Sequence, residues 1–333
     1  MQMKVLTNNQ IPLQEWSYFL ASNKHASPFQ TVAFYQLFNS VNRLRADAVA
    51  VTYNGSIKAL AVVTIQKEAG FGSYFSRRAI IYGGPLVAED YPEALDILLK
   101  NVSGRLKGKV IYTETRNLSD FSFCGDIFVK NGYQYIPYLN IILDTGNPDR
   151  VLQNVSNSRI RQIRAAKREH VTWEVASDTG EVREFYRILY RLYTEKIGKP
   201  LLPLSFFEGF LETGPGKILL VKFENKIIGG ILCPILDQKT IYEYYVCGLD
   251  AEYPKQYPSV MATWAAIEYA MENNISQFDF MGAGSPAKKY GVRDFKLRFG
   301  GSEVENGRFI RINNRFLYLT GRLALAIKSQ LRK

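Results

Sequence analysis

The chain repeats itself, and this limits its folds more than any other feature. NGSIKALAVV from Asn54 is answered by ENKIIGGILC from Glu224, IIYGGPLV from Ile80 by YYVCGLD from Tyr244, and VIYTET from Val110 by QFDFMG from Gln277. Partners lie about 165–170 residues apart, so a duplication is expected. Each copy reads helix, helix, hairpin, strand, helix, strand, then helix or loop and a final strand. Asn54-Gly55 and Glu224-Asn225 supply the hairpin turns. A strand that returns by a hairpin and then alternates with helices implies a mixed sheet with helices on both faces. The fold class is therefore α/β with mixed sheets, in tandem. The turn cluster Thr145-Gly146-Asn147-Pro148 places the boundary between domains 1–145 and 146–333, with a cleft between or along them.

Composition agrees with two ordinary cores. The 333 residues exceed one typical core, and 47% hydrophobic against 22% charged residues exclude disorder as the main state. Cys124, Cys233 and Cys247 are too few and scattered for a disulfide framework, which suits a reducing cytoplasm. The first residues lack the apolar core of a signal peptide, and no run approaches a membrane span. A cytoplasmic protein is expected, with peripheral contact at the inner face of the membrane as an option.

The formal charge is +11, from 42 basic and 31 acidic residues. The excess is local. Residues 150–168 carry six basic side chains and no acid, and residues 306–333 carry seven and no acid. Without those thirteen, 29 basic residues face 31 acids. An anionic partner is implied: tRNA, another phosphate-bearing molecule or a membrane surface. Residues 151–168 read as one basic helix. In the last segment Phe316, Leu319, Leu323 and Ile327 share one helical face. That face either docks on the core with the basic side in water, or meets a membrane surface or RNA.

Several motifs carry a family resemblance. FDFMGAG at 278–284 followed by YGVRDFKLRFGG at 290–301 resembles the closing signature of the Fem-type peptidyltransferases and related Fem-like acyltransferases. SPFQT at 27–31 is similar to their N-terminal signature, and RIRQIRAAKRE at 159–169 to their basic helix opening the second domain. The resemblance spans nearly the whole chain. It implies two tandem Gcn5-related N-acyltransferase (GNAT) domains. It also implies an enzyme in which an amine of a peptidoglycan precursor attacks an activated acyl carbonyl, with aminoacyl-tRNA as donor. Such an enzyme orients two substrates, stabilises an oxyanion and removes a proton from the amine.

The resemblance also nominates residues. Lys296 stands where the family has a lysine, facing the tRNA phosphate or the oxyanion, and it reads as a strand residue sharing a face with Arg298, with Arg293 nearby. Glu114, at the end of a first-domain strand, matches the region of an acid near the attacking amine, and serves as base if burial raises its pKa. Lys196 and Lys199 match a basic region for a nucleotide-linked precursor, and Lys24 is a further phosphate candidate. Tyr242, Tyr244 and Tyr245 lie on a strand beside the expected cleft, where aromatic packing explains any one of them equally well. Asp279 is expected to orient the Gly282–Gly284 loop by hydrogen bonds. Tightly bound cofactors are not expected. After Gly248 the chain reads LDAEYPKQYP, without the glycine pattern that cradles the coenzyme A pyrophosphate. An acyl-CoA or acyl-carrier donor in polysaccharide or lipid synthesis is the alternative, and a non-catalytic duplicate that binds RNA or membrane is a second. Two histidines and no cysteine cluster offer little for a metal site or a Ser-His-Asp triad.

Overall fold

The structure is a computed structural model describing residues 2–67 and 76–330; the side chains of 324–330 lie outside that description. In chain order the first copy contains β1 (Lys4–Thr7), α1 (Leu13–Ser22), α2 (Val32–Ser40), β2 (Leu44–Tyr53), β3 (Ser56–Gln66), β4 (Arg78–Gly83), β5 (Leu86–Val87), α3 (Pro92–Leu106), β6 (Tyr112–Asn117), α4 (Gly125–Lys130), β7 (Gln134–Ile136) and β8 (Leu139–Asp144). The second contains α5 (Pro148–Asn154), α6 (Asn157–Arg168), β9 (Thr172–Val175), α7 (Thr179–Leu192), α8 (Leu204–Thr213), β10 (Gly216–Phe223), β11 (Lys226–Leu236), β12 (Thr240–Tyr242), β13 (Tyr245–Gly248), α9 (Pro258–Glu272), β14 (Gln277–Gly284), α10 (Gly291–Leu297), β15 (Ser302–Glu305), β16 (Arg308–Ile312) and α11 (Arg315–Gln330).

Both hairpins form where the turn residues require them. Asn54 and Gly55 have φ of 52° and 85°, and Glu224 and Asn225 have 48° and 60°, the left-handed pair that joins two twisted antiparallel strands. α9 is buried almost all round, from Val260 through Ile267, so it lies inside its unit and not on its surface. The expected basic helix over 151–168 is two helices. Ser156 accepts from the Arg159 amide and starts α6 afresh.

Two compact units result, 1–137 with 306–333, and 138–305. In the first unit the sheet order is β1-β2-β3-β4-β6-β16-β7; in the second it is β15-β8-β14-β12-β11-β10-β9. The membership differs from domains 1–145 and 146–333. β8 pairs with β14 and β15 of the second unit, while β16 pairs with β6 and β7 of the first. Each copy thus gives its last strand to the other unit's sheet. The segment 306–333 opens with β16, ahead of the expected terminal helix.

The two sheets break at equivalent places. In the first unit β4 runs parallel to β6, and the chain then parts from that line as β5, which pairs with β3. In the second unit β12 runs parallel to β14 over Thr240–Tyr242, and β13 follows β11 alone. The strand expected over 240–246 is therefore interrupted at Glu243 and Tyr244. Each unit has its own apolar core, one around Leu98, Leu99, Phe128 and Phe309, the other around Trp264, Phe278, Phe280 and Phe299.

Candidate active site

The break between β12 and β13 gathers three charged side chains in the second unit. The Glu243 amide makes the last link to β14, donating to the Asp279 carbonyl at 2.9 Å. Beyond it the strands part. Glu243, Asp279 and Lys296 are 5%, 1% and 7% exposed. A buried charge persists only when paired and hydrogen-bonded, and these three are. Lys296 Nζ lies 3.1 Å from Glu243 Oε1 and donates to the carbonyls of Phe280 at 2.5 Å and Gly282 at 3.1 Å. Its three N–H donors are thereby committed. Thr263 Oγ1, on α9, donates to Glu243 Oε2 at 3.2 Å.

This arrangement corrects the reading of Lys296. It is not on a strand beside Arg298. It belongs to α10, whose buried turn aims it at β14, whereas Arg298 follows the helix and is exposed. What Lys296 holds is a bulge. The pairing of β14 with β8 slips between Asp279 and Gly282, and Met281 adopts φ of 56°, which a non-glycine residue rarely does. The Met281 amide donates to Asp279 Oδ1 at 2.5 Å. Asp279 thus holds the backbone at Met281, not the Gly282–Gly284 loop directly.

Electrostatically the cluster retains a proton. Burial raises the Asp279 carboxyl to about 7, against the Met281 amide, Lys296 and the Asn140 side chain, and with Glu243 adding repulsion. Burial also raises the Glu243 carboxyl above its ordinary range, against the pull of Lys296. Two carboxyls and one ammonium in one dry site share their titration, so near neutral pH the set can take up or release a proton. Glu243 was not among the residues nominated from the sequence. The signal present there was its position between tyrosines in the strand corresponding to the Gly83-Gly84 break.

Other candidates have different settings. Arg293 clamps the loop after β14, donating to the carbonyls of Ala283 at 2.9 Å, Lys288 at 3.3 Å and Ser285. Tyr242 is buried, and Tyr245 packs on Phe207 at 5.2 Å and Tyr193 at 5.9 Å; Tyr244 meets Phe206 and Tyr245. Lys196 and Lys199 are exposed in the segment that follows α7. Within the basic stretch Arg159 is buried, stacked on Phe295 and Phe299 at 4.3 Å and 4.6 Å, so it supports α10 and is lost to any outside partner. Cys247 is a buried thiol that burial pushes up, unsuited to act as a nucleophile.

In the first unit Glu114 is buried and held by Arg116 at 3.3 Å and Arg308 at 2.5 Å. Burial works to raise its carboxyl, but the two arginines outweigh it and the group lies below its ordinary range. The condition for a base, a raised pKa, is not met there. Lys24 is exposed, paired with Glu89 at 2.5 Å, and lines a cavity of about 490 Å³ with His25, Lys58 and Tyr18. The SPFQT motif is structural. Gln30 receives the Ser27 amide and hydroxyl at 2.8 and 2.6 Å and donates to the Tyr82 and Gly84 carbonyls at 3.3 and 3.0 Å, fixing the first unit's strand break.

Among the described residues no group of His, Cys, Asp and Glu could hold a metal ion, and no helix is long and apolar enough to cross a membrane. The start of α9, where a pyrophosphate would meet helix amides, is occupied by the chain itself. Asp250 accepts from the Ser259 amide at 3.0 Å and from the Ser259 hydroxyl.

Comparison with known proteins agrees with this geometry. Residues 154–296 match the family model described as an acetyltransferase (GNAT) domain. No curated protein matches the sequence. Among solved structures the chain is similar to FemX, at 16% identity and TM-score 0.71, over 96% of this chain and 99% of that one. It is similar to the C-terminal domain of a putative lysylphosphatidylglycerol synthetase from Agrobacterium fabrum, at 10% identity and TM-score 0.59, over 95% of each chain. A tandem GNAT protein from the clavulanic acid biosynthesis pathway is similar at 8% identity and TM-score 0.59, over 94% of this chain and 99% of that one. The broken mixed sheet and its repetition give this chain the tandem GNAT fold, and its second unit carries the matched acetyltransferase (GNAT) domain of an acyltransferase.

Proposed function

We propose that the chain transfers an aminoacyl group from aminoacyl-tRNA to an amine of a cell-envelope precursor. The observation that carries the choice of donor is Asp250, which precedes α9 and accepts from the Ser259 amide in its first turn. A carboxylate already fills the place where helix amides would take a pyrophosphate, and it would repel one. That disfavours coenzyme A and suits a donor bound through its sugar-phosphate backbone, for which Arg161, Arg164 and Arg168 of α6 are exposed. The likeness to FemX and to a putative lysylphosphatidylglycerol synthetase supports the same class of chemistry.

In this reading the acceptor amine attacks the ester carbonyl of the donor. A C–N bond forms, the C–O bond to the tRNA ribose breaks, and that oxygen leaves with a proton. The Asp279–Glu243 pair takes the proton released by the amine. Lys296 fixes the β14 bulge and supplies the positive charge that favours the oxyanion. The acceptor, nucleotide- or lipid-linked, uses the exposed Lys196 and Lys199 of the second unit.

The test is incubation of the purified chain with charged tRNA and a nucleotide- or lipid-linked peptidoglycan precursor. Release of uncharged tRNA with an aminoacylated acceptor is the expected result. Turnover of acyl-CoA with none of charged tRNA would overturn it. Lys296→Met should lower turnover by about two orders of magnitude, the range for losing a transition-state charge partner; unchanged turnover in the folded variant rejects the site.

A further inference from the structure

We propose that α11 docks this protein on an anionic lipid surface. One side of the helix is attached to the first unit. Tyr318 meets Tyr112 edge-on at 5.6 Å, the Asn314 amide before the helix donates to the Ile111 carbonyl at 3.0 Å, and Leu317 is half-buried. A helix docked by one side ordinarily turns polar residues to water. Here the other side carries Phe316, Leu319 and Leu323, 73%, 64% and 63% exposed. At about 100° per residue these three fall within an arc of about 60°, one stripe along the helix. Arg315 and Arg322 are exposed beside Leu319.

Charge selects the occupant. From residue 306 to residue 333 there are seven basic residues and no acid, the larger part of the chain's formal charge of +11. An apolar stripe edged by arginines is the construction of a helix lying in a membrane interface, with apolar side chains among acyl chains and cations among anionic headgroups. RNA would engage the arginines but leaves the apolar stripe without a role. A second copy would bury the stripe but set arginine against arginine across a two-fold axis. This inference does not depend on the acyl-transfer reading, because vesicle binding is measured without substrate.

The experiment is co-sedimentation of the full chain with vesicles of phosphatidylcholine alone and of phosphatidylcholine mixed with phosphatidylglycerol. Partitioning at least about tenfold stronger onto the anionic vesicles, and weaker in high salt, is expected. Phe316→Ser, Leu319→Ser, Leu323→Ser combined should reduce it by about tenfold or more, with thermal unfolding unchanged because all three are exposed. Arg315→Glu with Arg322→Glu, made separately, should weaken anionic binding without touching the stripe. Equal binding to neutral and anionic vesicles, or full binding by the folded serine variant, overturns the proposal. So does RNA binding that survives the serine changes in a chain that ignores vesicles. A dimer that those changes dissociate, again without vesicle binding, overturns it in favour of a second copy.

Discussion

Asp279 shows how one residue serves two ends at once. Flanked in sequence by Phe278 and Phe280, it faces away from their packed rings, which meet at 4.5 Å. Its carboxyl accepts the Met281 amide, and burial pushes it up to about 7. A folded-state pKa above the unfolded one means that the folded chain holds the proton more tightly. The stabilisation is then complete below about pH 4 and is lost as pH rises through 7. Asp279→Asn keeps an acceptor oxygen for Met281 but cannot ionise. Its melting temperature should therefore lose the decline that the parent shows between about pH 4 and 7, a difference on the order of a few kcal/mol at alkaline pH. Turnover in the variant should fall and lose its rise near pH 7. Melting curves across pH check the first point, and a pH–rate profile the second.

At the scale of elements the second unit depends on how closely β13 approaches α9. A Cβ on Gly248 would stand 2.4 Å from the Ser259 amide nitrogen and 2.7 Å from its hydroxyl. Gly248→Ala must therefore displace the first turn of α9 and the Asp250 cap. We expect a loss of about 2 kcal/mol in unfolding free energy and a larger loss of turnover, measured by denaturant titration and by rate. The hairpins, most helices and the strands leading to this place were legible in the sequence, because two-residue turns and apolar periodicity are local signals. The break at Glu243 and the helical state of α10 were not. Phe295, Leu297 and Phe299 alternate like a strand, yet Phe295 packs on Phe299 at 5.5 Å around the last turn of α10. Only the packing decides between those two periods.

For the molecule as a whole, the exchanged strands matter most. β16 lies between β6 and β7, and the Phe309 ring stacks on Phe128 at 3.9 Å within the first unit's core. A chain ending at residue 305 should fail to fold its first unit, although residues 1–137 are all present in it. Limited proteolysis should then spare 138–305 and digest 1–137. Equal resistance of both parts would refute this account.

The sequence by itself determined the duplication, the mixed α/β class, the hairpins and the candidate lysine, since each follows from local pattern or from motif order. Tertiary structure decided the unit boundaries, because the strands that close each sheet are roughly 130 to 200 residues away from their partners. It also decided the chemistry at the site. Lys296, Glu243 and Asp279 are far apart along the chain, and their charges become coupled only where a broken sheet and a buried helix bring them together out of water.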